Sequence, residues 1–175
     1  MGAAGVSTAA LHSIYGWGRN DGGYLGDGTT TNRSSPVQMG DKSDWTSIDL
    51  QGNQGTGAVN SAGELWVWGG NAQGQLGLGD TTSRSSPTQV GSLTDWAAVS
   101  SGPRFMLAVK TDGTLWSWGW NSDGQLGNGN TTQICSPVQV GSLTDWSSER
   151  GKFVADSSSS FAIKTLSLIH ISEPT

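Results

Sequence analysis

Apolar residues in this chain come in short bursts that alternate with polar ones at period two. The clearest is Phe105-Met106-Leu107-Ala108-Val109-Lys110, in which Phe105, Leu107 and Val109 fall on one face of an extended strand. An Asp-Gly turn, Thr111-Asp112-Gly113-Thr114, follows it, and then Leu115-Trp116-Ser117-Trp118. Strand, Asp-Gly turn and strand predict a hairpin. Upstream, Leu65-Trp66-Val67-Trp68 is an aromatic and β-branched run, Thr88-Gln89-Val90 follows Pro87, and Trp96-Ala97-Ala98-Val99 comes next. Each of these predicts a strand. Nothing between them has the spacing or length of a helix, and Gly recurs too often to sustain one.

The bursts repeat. Trp-Gly pairs stand at Trp17-Gly18, Trp68-Gly69 and Trp118-Gly119, 51 and 50 residues apart. Ser-Pro pairs ending in Pro36, Pro87 and Pro137 keep the same two spacings, as do Asp-Trp pairs ending in Trp45, Trp96 and Trp146. Three independent landmarks in one register define a repeat protein with a period of about 50. Each unit reads as four short strands and one long Gly-rich connection, which predicts an all-β chain built from β-propeller blades of four antiparallel strands. A solenoid of hairpins is the structural alternative. Counted from the Trp-Gly landmarks, the units run over about 17–67, 68–117 and 118–165, within a partial propeller covering residues 1–165.

The connection after each Trp-Gly is the most regular stretch. It reads Gly69-Gly70-Asn71-Ala72-Gln73-Gly74-Gln75-Leu76-Gly77-Leu78-Gly79-Asp80 in the second unit. In the third, Gly124, Gly127 and Gly129 keep the same places. A phosphate-cradling loop would need a following Lys or an opening helix, and neither follows. The residues fit an architectural role better: Gly gives positive φ and close backbone approach, Asn20, Asn71 and Asn121 bond neighbouring backbone, and Leu25, Leu76 and Leu126 pin the loop to the core. An EF-hand calcium loop would require further carboxylates and a Glu at position twelve, which are missing, so no metal or other cofactor is expected.

Composition narrows the function classes. Of 175 residues 27 are Gly, about twice average usage, and nine Trp argue against disorder. The net charge is −5 with no Lys and Arg cluster, so the footprint of a nucleic-acid reader is missing and no nucleic acid is expected as partner. The longest apolar run is five residues, Phe105 to Val109, too short for a membrane-spanning helix. Cys135 is the single cysteine, which precludes an intrachain disulfide, and Met1 to Ala10 shows no signal-peptide pattern. With one His near the start, His12, and the other, His170, in the last ten residues, no His-based catalytic triad or metal site falls within the repeats.

The recurring string W-G-x-N-x-x-G-Q-L-G-x-G, followed by S-P-x-Q-V-G, resembles the regulator-of-chromosome-condensation repeat over roughly residues 10–165. The second and third units match it closely, whereas the first has Tyr24 in place of the Gln. A second signature of that family, a small-small-Gly-x-x-His stretch, appears as Ser100-Ser101-Gly102-Pro103-Arg104 followed by Phe105 in place of His. The resemblance implies a seven-bladed propeller, of which 175 residues make about three and a half units. The chain is then a fragment of a longer frame, or two copies complete one ring by self-association. Phe161 to Thr165 repeats the strand at Leu107 to Thr111, yet the hairpin motif expected next is replaced by Leu166 to Thr175. That segment, 166–175, reads as a non-repeat tail: a translated sequencing-adapter end, with a natural but divergent C-terminus as the alternative.

What recurs in every unit is read as architecture: Trp45, Trp96 and Trp146, with the pairs Trp66/Trp68 and Trp116/Trp118, form core. The aspartates Asp44, Asp95 and Asp145 are strand-entry or turn residues, and Cys135, which aligns with Ser34 and Ser85, is a small-residue substitution. The residues that do not recur include Arg19, Tyr24, Arg104 and Trp120, a Trp, Tyr and Arg set of the kind that makes binding hot spots. The expected function is a non-catalytic binding or scaffold propeller presenting loops to a protein partner, or to a glycan. The family resemblance also implies guanine-nucleotide exchange on a small GTPase, or proteinaceous enzyme inhibition. Exchange uses a wedge-like insertion for which the constant period leaves no room. Low Lys and a surface rich in Gly, Ser, Thr and Asn resemble surface-exposed bacterial or phage members, and so suggest an extracellular setting.

Overall fold

The Asp-Gly turn closes as its sequence requires. Strand β8 (Phe105–Lys110) and strand β9 (Leu115–Gly119) run antiparallel, with Val109 opposite Leu115 and Met106 opposite Trp118, and Gly113 takes the positive φ of the turn. This hairpin belongs to a computed structural model that describes residues 12–50 and 54–165. The Met1 to Ala10 stretch, His170 and the tail 166–175 lie outside the described residues.

In chain order the remaining strands are β1 (Tyr15–Gly18), β2 (Arg33–Gln38), β3 (Trp45–Leu50), β4 (Gly55–Asn60), β5 (Leu65–Gly69), β6 (Arg84–Gln89), β7 (Trp96–Ser101), β10 (Ile134–Gln139), β11 (Phe153–Ala155) and β12 (Ser160–Ala162). No helix occurs among the described residues. Two complete antiparallel sheets form, β3-β4-β5-β6 and β7-β8-β9-β10. Each follows chain order, so neighbours are joined by hairpins or by the long Gly-rich connection between third and fourth strand. The half-sheet β1-β2 lies before them and the half-sheet β11-β12 after them. The repeat counted from Trp-Gly is therefore out of phase with the sheets, because Trp-Gly ends the third strand of a sheet.

The fourth strand begins earlier than the run Thr88 to Val90 suggested. It includes Arg84, Ser85, Ser86 and Pro87 and stops at Gln89. Proline is compatible with this place because β6 is an edge strand, paired on one side only.

Apolar side chains gather between sheets, not within one. One cluster joins Val59, Leu65, Val67 and Leu76 of the first complete sheet to Val99, Met106 and Trp118 of the second. A second joins Leu107 and Leu126 to Phe153 and Ala155 of the last half-sheet, and a third joins Leu25 and Met39 of the first half-sheet to Trp45 and Trp68. Strand β8 is buried along its whole length because it is covered on both faces. Sheets stacked face to face through successive cores, each touching only its neighbours, are propeller blades.

Candidate interaction surface

Two kinds of stitch hold one blade to the next and a third contact braces each blade internally, and together they decide which polar groups remain for a partner. The first lies along the inner strands. Asp49 Oδ2 on β3 accepts a hydrogen bond from the Ser101 amide on β7 at 2.8 Å, and the Ser101 hydroxyl donates to the Asp49 carbonyl at 3.0 Å. One blade on, the Ala155 amide donates to Ser100 Oγ at 3.1 Å. These strands wall a cleft of about 620 Å³ lined by residues such as Ile48, Asp49, Val99, Phe153 and Val154.

The second stitch is a latch: the Gly-rich connection leaves its own blade and closes over the next. Trp68 Nε1 donates to the Tyr24 carbonyl at 3.1 Å, and Trp118 Nε1 to the Gln75 carbonyl at 2.8 Å. Gly26 and Gly77 make this approach possible, since a Cβ on either would sit 2.8 or 2.7 Å from the indole beneath it. The amides of Gly28 and Gly79 then reach the fourth strand of the next blade, donating to Ser85 and Cys135 carbonyls at 2.8 Å each. Cys135 lies under Gly74 as Ser85 lies under Gly23, which accounts for a small residue there.

Inside each connection a buried Asn does the organising. Asn71 accepts from the Leu76 amide at 2.9 Å and donates to Asp80 and to the Thr82 carbonyl. Asn20 and Asn121 repeat this with Leu25 and Leu126. A charge clamp, not foreseen from the sequence, closes two of the three loops: Arg33 meets Asp27 and Arg84 meets Asp80, each at 2.7 Å. Desolvation pushes the Asp27 carboxyl up, but hydrogen bonds from Thr29, Arg33 and Asn20 outweigh it and hold the group below its ordinary range. Asp80 is lowered by the Thr82 amide first and then by Arg84.

The third contact lies within a blade and is a cation on tryptophan. Lys110 is only 7 % exposed; its Nζ lies 4.4 Å from the Trp116 ring centre, 5.0 Å from that of Trp96 and 3.1 Å from Asp95 Oδ2. The Asp-Trp aspartates also fix the turn between second and third strands, where the Ser61 and Thr111 amides donate to the Asp44 and Asp95 carbonyls, and the Thr165 amide beyond β12 donates to the Asp145 carbonyl in the same way.

Against this scaffold the four singular residues separate. Arg104, immediately before β8, is exposed, and Trp120, immediately after β9, is half-buried; the Trp120 amide donates to the Arg104 carbonyl at 2.9 Å. Strand pairing thus brings these two together. Arg19 occupies the corresponding place beyond β1 and is exposed, but its guanidinium forms a two-point contact with Asp21 at 2.8 and 2.7 Å. That hydrogen bond holds the Asp21 carboxyl below its usual value. Tyr24 sits apart from the rim, in the connection, with its ring folded onto Gly22 and its carbonyl engaged by Trp68. Where Arg104 and Trp120 stand in the second complete blade, the first has Gln54 and Gly70, joined by the same backbone bond.

Comparison with known proteins gives the same architecture. Among solved structures, human WBSCR16 superposes with a TM-score of 0.70 at 22 % identity, covering 89 % of this chain and 41 % of that one. Prp20p of Saccharomyces cerevisiae, described with its binding properties to Gsp1p and histones, superposes with a TM-score of 0.66 at 17 % identity, covering 88 % and 40 %. In sequence, the ultraviolet-B receptor UVR8 of Arabidopsis thaliana is 37 % identical over 91 residues, 50 % of this chain and 21 % of the receptor. The human E3 ubiquitin-protein ligase HERC2 is 34 % identical over 109 residues, 59 % of this chain and 2 % of the ligase. The chain thus spans about a fifth or less of these two relatives. The profile of the Regulator of chromosome condensation (RCC1) repeat matches residues 12–50, 62–109 and 112–154, three copies that together cover most of the chain. With that match the latch, the buried Asn and the Trp-Gly landmarks have a common origin: the chain belongs to the RCC1 repeat family.

Proposed function

We propose that this chain is a non-catalytic scaffold whose rim presents singular side chains to a protein partner, with a glycan as the other ligand class. The observation that carries this reading is the Arg104–Trp120 pair. Repeated polar groups are engaged in stitching blade to blade, whereas these two side chains stand together on one rim at places where the neighbouring blade has Gln54 and Gly70. Trp and Arg are the side chains over-represented where truncation costs most binding energy. Prp20p, similar in fold, is described as binding Gsp1p and histones and in complex with Kap60, so a propeller of this fold serves protein partners in that case.

The test takes a partner found by crosslinking in the source organism and measures its affinity with purified components. Arg104→Ala and Trp120→Ala each weaken binding by about 30-fold, the effect of a hot-spot truncation near 2 kcal/mol. Nucleotide release from a panel of small GTPases stays at its intrinsic rate. Undiminished binding by the double variant overturns the rim assignment, and accelerated nucleotide release overturns the scaffold reading.

A further inference from the structure

The two seams that flank the first complete blade are built from equivalent residues but packed differently. The seam between the two complete blades holds a cavity of about 380 Å³, lined by Leu78, Val90, Leu93, Trp96, Trp116 and Pro137, with Gln89 and Ser136 as the polar side chains. In the repeat register these six correspond to Asp27, Met39, Lys42, Trp45, Trp66 and Pro87 of the seam before it. We propose that this cavity is a second binding site, which takes a short peptide segment of a protein partner anchored by an uncharged aliphatic side chain of leucine type. The proposal rests on the reading of the chain as a protein-binding scaffold, but not on the Arg104–Trp120 rim. That rim lies at the opposite end of the sheet, since Leu93 precedes the start of β7 and Arg104 follows its end.

In the earlier seam the chain itself supplies a side chain to the third-strand tryptophan. Lys42 reaches to 4.4 Å from the Trp66 ring centre and 3.8 Å from Glu64, and a Cβ on Gly40 would lie 3.3 Å from Pro87. In the later seam Leu93 replaces Lys42 and Thr114 replaces Glu64, and a Cβ on Gly91 would meet no atom within 4 Å. Leu93 is 46 % exposed there, beside the half-buried Trp116. Leu78 stands where the earlier connection has Asp27, whose carboxylate turns back into its own loop to Arg33 and Asn20. Three charged residues of one seam are thus uncharged in the next.

That loss of charge selects the occupant. No ionisable side chain lines the cavity, so a cation or a carboxylate entering it would shed water without gaining a partner. Lys110, which does not line the cavity, already places its ammonium on the Trp96 and Trp116 rings and 3.1 Å from Asp95, and it repels a second cation. A sugar would bring more hydroxyls than Gln89 and Ser136 can satisfy. An aliphatic side chain meets indole, leucine and proline surface, and the two polar side chains are left for the peptide groups beside it. The volume lies at the lower end of the range for ligand cavities, about 300–1,000 Å³.

The test follows the Trp96 and Trp116 indole N–H resonances of the purified chain while three probes are added separately. These are N-acetyl-leucine N-methylamide, N-acetyl-lysine N-methylamide and methyl glucoside. The leucine amide shifts both resonances with a dissociation constant on the order of 1 mM, the affinity open to a ligand of its size, and the other two shift neither. Leu93→Lys, which restores the lysine of the earlier seam at an exposed loop position, weakens leucine-amide binding about tenfold or more, whereas Leu93→Met keeps it within about twofold. Circular dichroism confirms that both variants are folded. No shift with the leucine amide at about 20 mM overturns the proposal, as does a lysine amide that binds equally well or a Leu93→Lys variant that binds undiminished. A response to methyl glucoside alone overturns it in favour of a glycan site. None of these readouts involves a rim residue, so the cavity and the rim assignment stand or fall separately.

Discussion

The two complete blades each place a cation on the face of the third-strand tryptophan, but they draw it from different parts of the chain. In the second, Lys110 comes from the end of β8 and is wedged between Trp96, Trp116 and Asp95. In the first, Asn60 stands where Lys110 would be, and Lys42 reaches across from the segment before β3 to sit 4.4 Å from the Trp66 ring, 3.8 Å from Glu64. The tryptophan indoles follow suit: Trp66 Nε1 donates to Glu64 at 3.1 Å and Trp116 Nε1 to Thr114 at 2.8 Å. What the repeat preserves is thus an interaction, a positive charge over an indole whose N–H is satisfied, and not the residue that supplies it. The latch teaches the opposite lesson, because there the Trp, Gly and Asn recur in place. Backbone carbonyls and a glycine's bare Cα admit no substitute from elsewhere in the chain, whereas a long flexible lysine can approach a ring from several directions.

The sharpest way to break the comparison is at the latch tryptophans. Trp68 and Trp118 are fully buried with their indole N–H bonds made, and Trp17, the same residue in the first half-blade, is 63 % exposed. Trp118→Ala and Trp68→Ala therefore each cost about 3–5 kcal/mol in urea unfolding, the range for emptying a buried aromatic site. Trp17→Ala stays within about 0.5 kcal/mol of the parent. Equal losses at all three positions would show that the landmark itself, and not its coverage by the preceding loop, sets the cost.

The cation sites come next in size. Lys110→Ala removes a buried ammonium from two rings and a carboxylate, and lowers stability by about 1–2 kcal/mol. Lys42, partly exposed over one ring, yields about 0.5–1 kcal/mol on the same replacement. Replacing each lysine by Met, which keeps the apolar stem, separates the packing share from the charge. If Lys42→Ala proves the more damaging, the reading of Lys110 as the better-enclosed cation is wrong.

The period, the strands at the Trp-rich bursts and the core role of the connection's Leu and Asn residues were legible without coordinates, because period-two alternation and recurring landmarks report burial directly. The phase of the blade was not. Its boundary falls in short loops such as Gly40 to Asp44, which recur like the rest of the unit and carry no mark of a break, while the conspicuous Trp-Gly pair lies inside a sheet. The start of the fourth strand was also hidden, since Arg84-Ser85-Ser86-Pro87 has no apolar alternation; it is held by pairing to β5 and by the preceding blade's loop. Arg104 and Trp120 could be singled out as non-recurring, but their adjacency needed the register of β8 on β9. The Arg–Asp clamps escaped notice because the acid moves, standing at Asp27 in the first loop and Asp80 in the second.

That movement of the acid ends in its loss, and it gives the smallest and most specific expected effect. The third loop has Asn128 and Asn130 at the two places where the others carry an acid, and Ile134 where they carry Arg33 and Arg84, so its latch contains no titrating clamp. Asp27 and Asp80 are held below their ordinary values in the folded chain. A carboxylate with a depressed folded pKa contributes stability that is fully present above its unfolded value, about 3.9, and is lost as pH falls through the folded one. Stability measured by denaturant midpoint therefore declines below about pH 4 partly through the first two loops. Asp27→Asn with Asp80→Asn, which makes both loops resemble the third, flattens that decline, while Asp21, Glu64 and Asp112, also depressed, retain the remainder of the slope. A double variant whose midpoint falls as steeply as the parent's between pH 5 and pH 2 would show that the clamps hold no proton-linked stability, and that the neutral third loop is their equal in acid as well as in shape.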